Sequence, residues 1–358
     1  MKLLKTLPCL CLVLGLLVFL TGCPETAHKA DQNAKIEPQG MVYFTYFDTV
    51  SYVYSYAGDT QADFEKNCGE VAQILEDYHH LFDIYYEYSG INNLKTINLN
   101  AGGDAVSVDQ RLIDFLLYAK ELYTLTGGEM NIMMGAVLRP WHDSRSAASN
   151  DPANARIPTE DELLSASAHT DISLLEIDDE NNTVRISDPK ASIDVGALGK
   201  GYATEMAAKR LKELGITSYV LNIGGNIRII GTKVDGSTWL TGIKDPQDTS
   251  KYATYLNLAN TSCVTSGVYE RFFTVDGVRY HHIIDKDTLM PSEYFTSLTV
   301  ICEDSGLADA LSTALFCMSY EDGSEIVNSL DGVEVLWIYS DGEMKMSDGL
   351  HALVNDKK

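Results

Sequence analysis

Apolar residues recur along this chain at two spacings, and the change from one to the other lays out its elements. Residues 41–56 alternate large apolar with small or polar positions, the period of a strand. Residues 60–82 switch to helical spacing, with Phe64, Val71, Ile74, Leu75, Tyr78 and Phe82 on one face. Ser107 reads as the N-cap of a helix running to about Leu125, stopped by Gly127 and Gly128. Residues 141–161, rich in Ser, Ala, Asn, Asp and Pro, predict an exposed loop, with a short helix after Thr159. Residues 172–177 and 183–186 predict two strands joined by a hairpin at residues 178–182. A helix over residues 200–214, stopped by Gly215, precedes short strands across residues 218–282, where Asp276-Gly277 is a hairpin turn between residues 272–275 and 278–282. A strand over 297–301 and a helix capped by Asp304 or Ser305 and reaching Met318 follow. There is no repeat, no clear internal linker and no regular strand–helix–strand alternation. The expected fold is therefore α+β: a single large mixed domain over residues 41–358, strand-rich in its middle with helices packed around it.

The first 22 residues follow a different logic. Lys2 and Lys5 precede an apolar run over residues 7–20, which contains Pro8, is short for a bilayer span and ends in Leu20-Thr21-Gly22-Cys23. This predicts a lipoprotein signal peptide over residues 1–22, lipidation at Cys23, and a polar tether through residue 40. A diacylglyceryl group on Cys23 supplies two acyl chains, enough for stable anchoring on the outer face of the bacterial cell membrane. The domain is thus expected to be extracytoplasmic. Of the remaining cysteines, Cys9 and Cys11 leave with the signal, and Cys68, Cys263, Cys302 and Cys317 show no Cys-x-x-Cys spacing. No zinc site is predicted, and a disulfide and buried free thiols both stay open.

Charge narrows the partners. Asp and Glu total 51 against 27 Lys and Arg, which speaks against nucleic acid. An anionic ligand would need local help from glycines, a lysine or a bound cation.

Two stretches offer it. Residues 194–201 place Asp194, Lys200 and three glycines at a loop-to-helix junction, which suits a phosphate or nucleotide and equally suits a plain capping turn. Asp309 and Thr313, four apart, share one face of a predicted helix amid Leu307, Ala310, Leu311, Ala314 and Leu315. A carboxylate and a hydroxyl so stacked, with one backbone carbonyl, can ligate Mg²⁺; an exposed acid and a hydroxyl bonded to the preceding turn is the plainer alternative.

The segments at 194–201, 221–226, 265–271, 281–285 and 308–315, in this order, resemble the FAD:protein FMN transferases, the ApbE-like flavin transferases, over essentially all of residues 41–355. The resemblance implies Mg²⁺-dependent transfer of FMN from FAD to a threonine hydroxyl of a target flavoprotein, through a phosphoester bond and with release of AMP. The implied acceptor is an extracytoplasmic FMN-accepting flavoprotein of an electron-transfer system. It implies a metal held by the Ala197 carbonyl, Asp309 and Thr313, with Asp194 and Lys200 at the flavin nucleotide. His282, beside Ile283, would take the acceptor's proton or orient its hydroxyl, while His281 points to the opposite face of a strand end. Phe47 and Tyr85 stand where the family contacts flavin, with aromatic core packing as the alternative. Asn131, Ile132 and Met133 align with a family segment that usually supplies an acid and a hydroxyl, so contacts there would fall to backbone or amide groups. Residues 285–289 also depart from the family's usual Asp-Pro-x-Thr-Gly. Because the attacking group lies outside this chain, two other readings stay open: an FAD pyrophosphatase releasing FMN and AMP, and a flavin-binding lipoprotein without chemistry.

Overall fold

The computed structural model describes residues 37–355; the expected signal peptide, the expected lipidation site Cys23 and most of the expected tether lie outside the described residues. The described residues form one compact unit. In chain order the elements are β1 (Gln39–Tyr43), β2 (Ser51–Ser55), α1 (Gln61–Phe82), α2 (Leu94–Leu99), β3 (Val106–Ser107), α3 (Gln110–Leu125), α4 (Gly135–Asn150) and α5 (Glu160–Ser167). The series continues with β4 (Leu175–Asp178), β5 (Thr183–Ile186), α6 (Gly199–Glu213), β6 (Ser218–Ile223), β7 (Asn226–Gly231), β8 (Trp239–Lys244), β9 (Tyr252–Leu258) and β10 (Ser262–Gly267). It ends with β11 (Phe272–Val275), β12 (Val278–His281), β13 (Ser297–Cys302), α7 (Ser305–Ala314), α8 (Tyr320–Asn328), β14 (Glu334–Ile338) and β15 (Met344–Met346). The class is α+β.

An antiparallel sheet in the order β1-β2-β6-β7-β10-β13-β14-β15 forms the backbone of the molecule. One of its faces is covered by α6 and α7, with α1 packed on α6. Leu75, Phe82, Phe115, Tyr202, Leu221 and Ala310 belong to one continuous core there. The other face is covered by the β8–β9 pair, where Trp239, Ile243 and Leu256 pack on Ile229, Ile301 and Leu336. β13 is buried along its whole length, as a strand sandwiched between two layers must be.

Several expectations are revised. Residues 41–56 are two strands, not one, because the chain reverses over residues 44–50, with Phe47 and Asp48 at φ of 54° and 50°. Gln39 and Gly40, assigned to the tether, already belong to β1. Ser107 ends a short strand; the cap of α3 is Asp109, whose carboxylate accepts from the Arg111 N–H. Residues 141–161 are largely helical. Gly135, Val137, Trp141, Ser144 and Ala148 make a buried stripe of mostly small residues, which composition alone disguised as loop, and Pro140 sits inside the helix. Residues 172–174 form a short 3-10 turn before β4, and α7 tightens into another at Leu315–Cys317. The four body cysteines are buried free thiols.

Candidate functional site

The junction at residues 194–201 meets the face of α7 through a glycine. A Cβ on Gly201 would lie 2.3 Å from the Ser305 carbonyl oxygen and 2.4 Å from the Asp309 Cβ, so only glycine lets α6 and α7 approach this closely. The approach brings a carboxylate to the start of α6. The Gly201 N–H, a first-turn donor that α6 itself leaves unpaired, donates to Asp309 Oδ2 at 2.8 Å. Its neighbours keep the helical pattern, with Gly199 N–H bonding Val195 O and Tyr202 N–H bonding Leu198 O. The Ala197 carbonyl is left without a donor among the described residues, and so is the Thr313 hydroxyl, which does not bond back to its own helix. Ser312, its neighbour, does bond back, to the Asp309 carbonyl, and its Oγ also lies 2.9 Å from Ser266 Oγ on β10.

Asp309 is 5% exposed. Burial pushes its carboxyl above the usual carboxylate range, opposed first by the Lys200 ammonium and then by the Gly201 N–H. Lys200 Nζ stands 3.6 Å from Asp309 Oδ2 and donates to the Gly196 carbonyl. One amide and one ammonium leave a buried carboxylate short of partners. Together with a donorless carbonyl and hydroxyl, it is an all-oxygen donor set of the kind hard divalent cations take. The residues present therefore fit Mg²⁺. Among the described residues no cluster of three or more His, Cys, Asp or Glu side chains offers a competing metal centre.

A second wall carries aromatic rings on two loops joined by one hydrogen-bonded chain. Asp83, just past α1, accepts from the Tyr85 and Tyr86 N–H groups through Oδ1 and from the Tyr88 hydroxyl through Oδ2 at 2.7 Å. The Tyr88 hydroxyl lies 3.5 Å from His79 Nε2, and His79 Nδ1 accepts from the Phe47 N–H. Phe47 is thereby tied to the Tyr85 loop, and Tyr85 is left 55% exposed with its hydroxyl 3.3 Å from His142 Nδ1. The Gly224-Gly225 turn between β6 and β7, at φ of 57° and 95°, presses on Thr49 in the same Phe47 loop.

The third wall is the β11–β12 hairpin, which sits against α4 through Trp141, Phe273 and Tyr280. His281 turns inward, its Nε2 bonded to the Ser292 carbonyl and its ring edge-on to Phe316. His282 turns toward the cleft and borders the cavity shared with His142 and Arg145. Burial, then the positive charge of Arg271, pushes its imidazole down to about 3, so it is neutral at physiological pH.

The ApbE family model matches residues 47–337. The chain belongs to the ApbE family. A curated relative from Treponema pallidum (strain Nichols), named FAD:protein FMN transferase, is 31% identical over 272 residues, covering 72% of this chain and 73% of the relative. A Vibrio cholerae relative of the same name is 28% identical over 338 residues, covering 94% and 93%. Among solved structures, the ApbE protein of Thermotoga maritima matches with TM-score 0.78 at 28% identity, covering 89% of this chain and 100% of that one. The flavin transferase ApbE from Vibrio cholerae matches at 0.74 and 25%, covering 88% and 99%.

Within this ApbE-family domain the predicted residues fall unevenly. Lys200, Gly201 and Asp309 meet at the α6–α7 contact, with Thr313 one turn further along α7 and Ala197 just ahead of α6. Asp194 is buried, accepts from the Gly196 N–H and donates its own N–H to the Ile132 carbonyl. That bond brings residues 131–133 alongside, but the Ile132 and Met133 side chains point into the core at 1% and 0% exposure, and the Met133 N–H serves Asn131 Oδ1. Asn131 spends its amide on the Thr170 carbonyl. Ile283 is buried, its N–H bonded to His281 Nδ1. Sequence reasoning missed His142, Arg145 and the His79–Tyr88–Asp83 chain, which no local motif marks, and assigned no role to Arg271 although it closes the 265–271 segment.

Proposed function

We propose that this protein is an FAD:protein FMN transferase: it takes FAD as substrate and moves FMN onto a threonine hydroxyl of an acceptor flavoprotein, releasing AMP. As a member of the ApbE family it is an enzyme of the transferase class. The observation carrying the reading is the Gly201 N–H bond to Asp309 Oδ2, which ties the start of α6, just past Ala197, to the face of α7 that carries Asp309 and Thr313. The Ala197 carbonyl, Asp309 and Thr313 would hold Mg²⁺, which when bound offsets phosphate charge and polarises the pyrophosphate.

The chain's own residues supply the rest. Phe47 and Tyr85 offer faces to a flavin or adenine ring. Lys200 gives a local positive charge at the nucleotide in an otherwise acidic protein. Neutral His282 accepts the proton as the acceptor oxygen bonds to the FMN-side phosphorus, and the bond to the bridging oxygen breaks with its electron pair leaving on AMP.

The leader sequence supports an extracytoplasmic enzyme anchored through lipid on Cys23, so the acceptor would be an exported flavoprotein of an electron-transfer system. Loss of membrane association in a Cys23→Ala variant tests that placement. For the reaction, purified protein is incubated with FAD, Mg²⁺ and a candidate acceptor. An acceptor mass increased by one FMN, with equimolar AMP, is the expected result; free FMN alone would instead make the protein an FAD pyrophosphatase.

A further inference from the structure

The sheet face that β8 and β9 cover is left bare at its β1 edge. Met41 and Val53 pack with the helices, so the alternating Tyr52, Tyr54 and Tyr56 of β2 and its end point to the opposite face. The cluster beneath β8 and β9 takes in Tyr56 but neither Tyr52 nor Tyr54. Val42 stands directly across from Tyr52 in the antiparallel register, and Gly40 across from Tyr54. The Tyr54 ring folds over Gly40, where an added Cβ would lie 3.4 Å from it, and stacks on the Tyr52 ring with 6.0 Å between centroids and 4° between planes. Val42 is 41% exposed, Tyr54 39% and Phe44, just past β1, 74%.

The chemistry of this patch suits a lipid surface. Between Pro38 and Gly58 the one charged side chain is Asp48, in the reversal, although 22% of the chain is charged. At the Tyr56 end of the stripe stands a cation, Lys233, its Nζ 5.7 Å from the ring centroids of both Tyr56 and Trp239, with the exposed Val234 beside it. A formal net charge of −24 keeps most of the protein away from an anionic bilayer, so a neutral face with a basic end is the one that can approach. Tyrosine rings, apolar in the body and polar at the tip, settle at headgroup depth. β1 is also where the chain enters the fold. Residues 24–38, between the expected lipid site and β1, can span no more than about 55 Å, so a bilayer holding that lipid lies within reach of β1 and β2.

We propose that Val42, Phe44, Tyr52 and Tyr54 form a membrane-seating face that rests in the headgroup layer and orients the domain on the bilayer. The proposal rests on the lipid-anchor reading only for which bilayer the face meets, since the face belongs to the folded domain. The reversal after β1 carries Phe47 and Thr49 into the cleft, so a seated face fixes how the cleft stands to the membrane.

The test introduces Val42→Cys, Phe44→Cys and Tyr54→Cys singly, with Glu325→Cys on α8 as the reference. α8 packs on β14, near the sheet edge farthest from β1. The domain's own cysteines are buried and should not react with a maleimide dye. Each full-length protein, carrying a polarity-sensitive dye, is reconstituted in phosphatidylethanolamine–phosphatidylglycerol vesicles that contain bromine-labelled lipid. The three face positions should show blue-shifted emission and loss of fluorescence, and Glu325→Cys neither, with no change when ionic strength is raised about tenfold. Tm should match wild type, because these side chains are exposed; a position that unfolds the protein leaves the other two to decide. Equal emission at all four positions, quenched or not, would overturn the proposal. So would a blue shift that appears without vesicles and grows with protein concentration, which would assign the face to a second copy, or one that needs an added flavoprotein, which would assign it to the acceptor. The mass of the N-terminal peptide separates face from anchor. Quenching confined to the face in a chain whose Cys23 carries no lipid would support the face and remove the anchor, whereas a lipidated chain with no quenching at the face would keep the anchor and overturn the proposal.

Discussion

Replacing Gly201 by alanine tests whether the close approach of α6 and α7 makes the site. Gly201 sits inside a helix without a positive φ, so intrinsic propensity favours alanine by about 1 kcal/mol. Against this, the new Cβ would stand 2.3 Å from the Ser305 carbonyl oxygen and 2.4 Å from the Asp309 Cβ, and both belong to a packed helix that cannot rotate away. Restoring ordinary contact requires the helices to part by about 1 Å. Overpacking of this kind costs about 1–3 kcal/mol, leaving a net loss of up to about 2 kcal/mol and a Tm lowered by a few degrees. The effect on chemistry should be larger, because a displacement of about 1 Å between Ala197 and Asp309 far exceeds the roughly 0.2 Å tolerance of metal coordination and implies about a hundredfold loss of rate. Gly69, on the exposed side of α1 with nothing within 4 Å of its would-be Cβ, is the control. Gly69→Ala should raise Tm by about 2 °C and leave transfer unchanged. Differential scanning fluorimetry and acceptor flavinylation on both variants decide the matter. If Gly201→Ala behaved like Gly69→Ala, with a raised Tm and the wild-type rate, the argument from helix approach would be refuted.

Asp309→Ala should abolish divalent-dependent turnover while sparing the far-UV circular dichroism spectrum, and undiminished activity would remove the site assignment. Tyr88→Phe breaks the chain between Asp83 and His79, so the KM for FAD should rise several-fold with kcat little changed; an unchanged KM would show that Phe47 and Tyr85 need no such tie. His282→Gln should lose most transfer activity while binding FAD normally. His282 also carries a pH signature. With its folded-state value near 3 and its unfolded value near 6.5, the folded protein binds fewer protons between them, so the contribution to stability is full above pH 6.5 and is lost on acidification. The Tm of wild type should therefore fall relative to His282→Gln as pH drops from 6.5 toward 4.5, and parallel curves would show that His282 titrates normally.

Legibility in the sequence followed the range of the forces involved. α1 could be read because Thr60 caps it and its apolar stripe repeats locally, and the Asp309–Thr313 pair because one helical turn fixes both. α4 was not legible, since its buried stripe runs through Gly135, Ser144 and Ala148, whose small side chains carry little hydrophobic signal. The reversal at Phe47 was hidden because φ values of 54° and 50° fall on residues that do not announce a turn. Within the site, motif order pointed to Ala197, but the contact that ties the start of α6 to Asp309 lies in Gly201 meeting a helix more than a hundred positions later. Arg145 escaped for the same cause, being an ordinary basic residue until α4 and the hairpin are brought together.

The β11–β12 hairpin is hydrogen-bonded into no larger sheet. Its anchorage is the Trp141–Phe273–Tyr280 cluster, with Trp141 Nε1 donating to the Leu289 carbonyl, and His281 on the Ser292 carbonyl and the Phe316 ring, while Phe272 is left under Arg279 at the surface. The cleft is consequently assembled from two parts of unequal cooperativity. The Ala197–Asp309 side shares the free energy of the whole core, whereas His282 and Arg271 ride on a unit whose opening costs only its own local contacts. On the proposed function a dinucleotide and a protein acceptor would enter from the hairpin side while the oxygen donors stay in register, so that passage through the cleft and integrity of the fold would draw on different reserves.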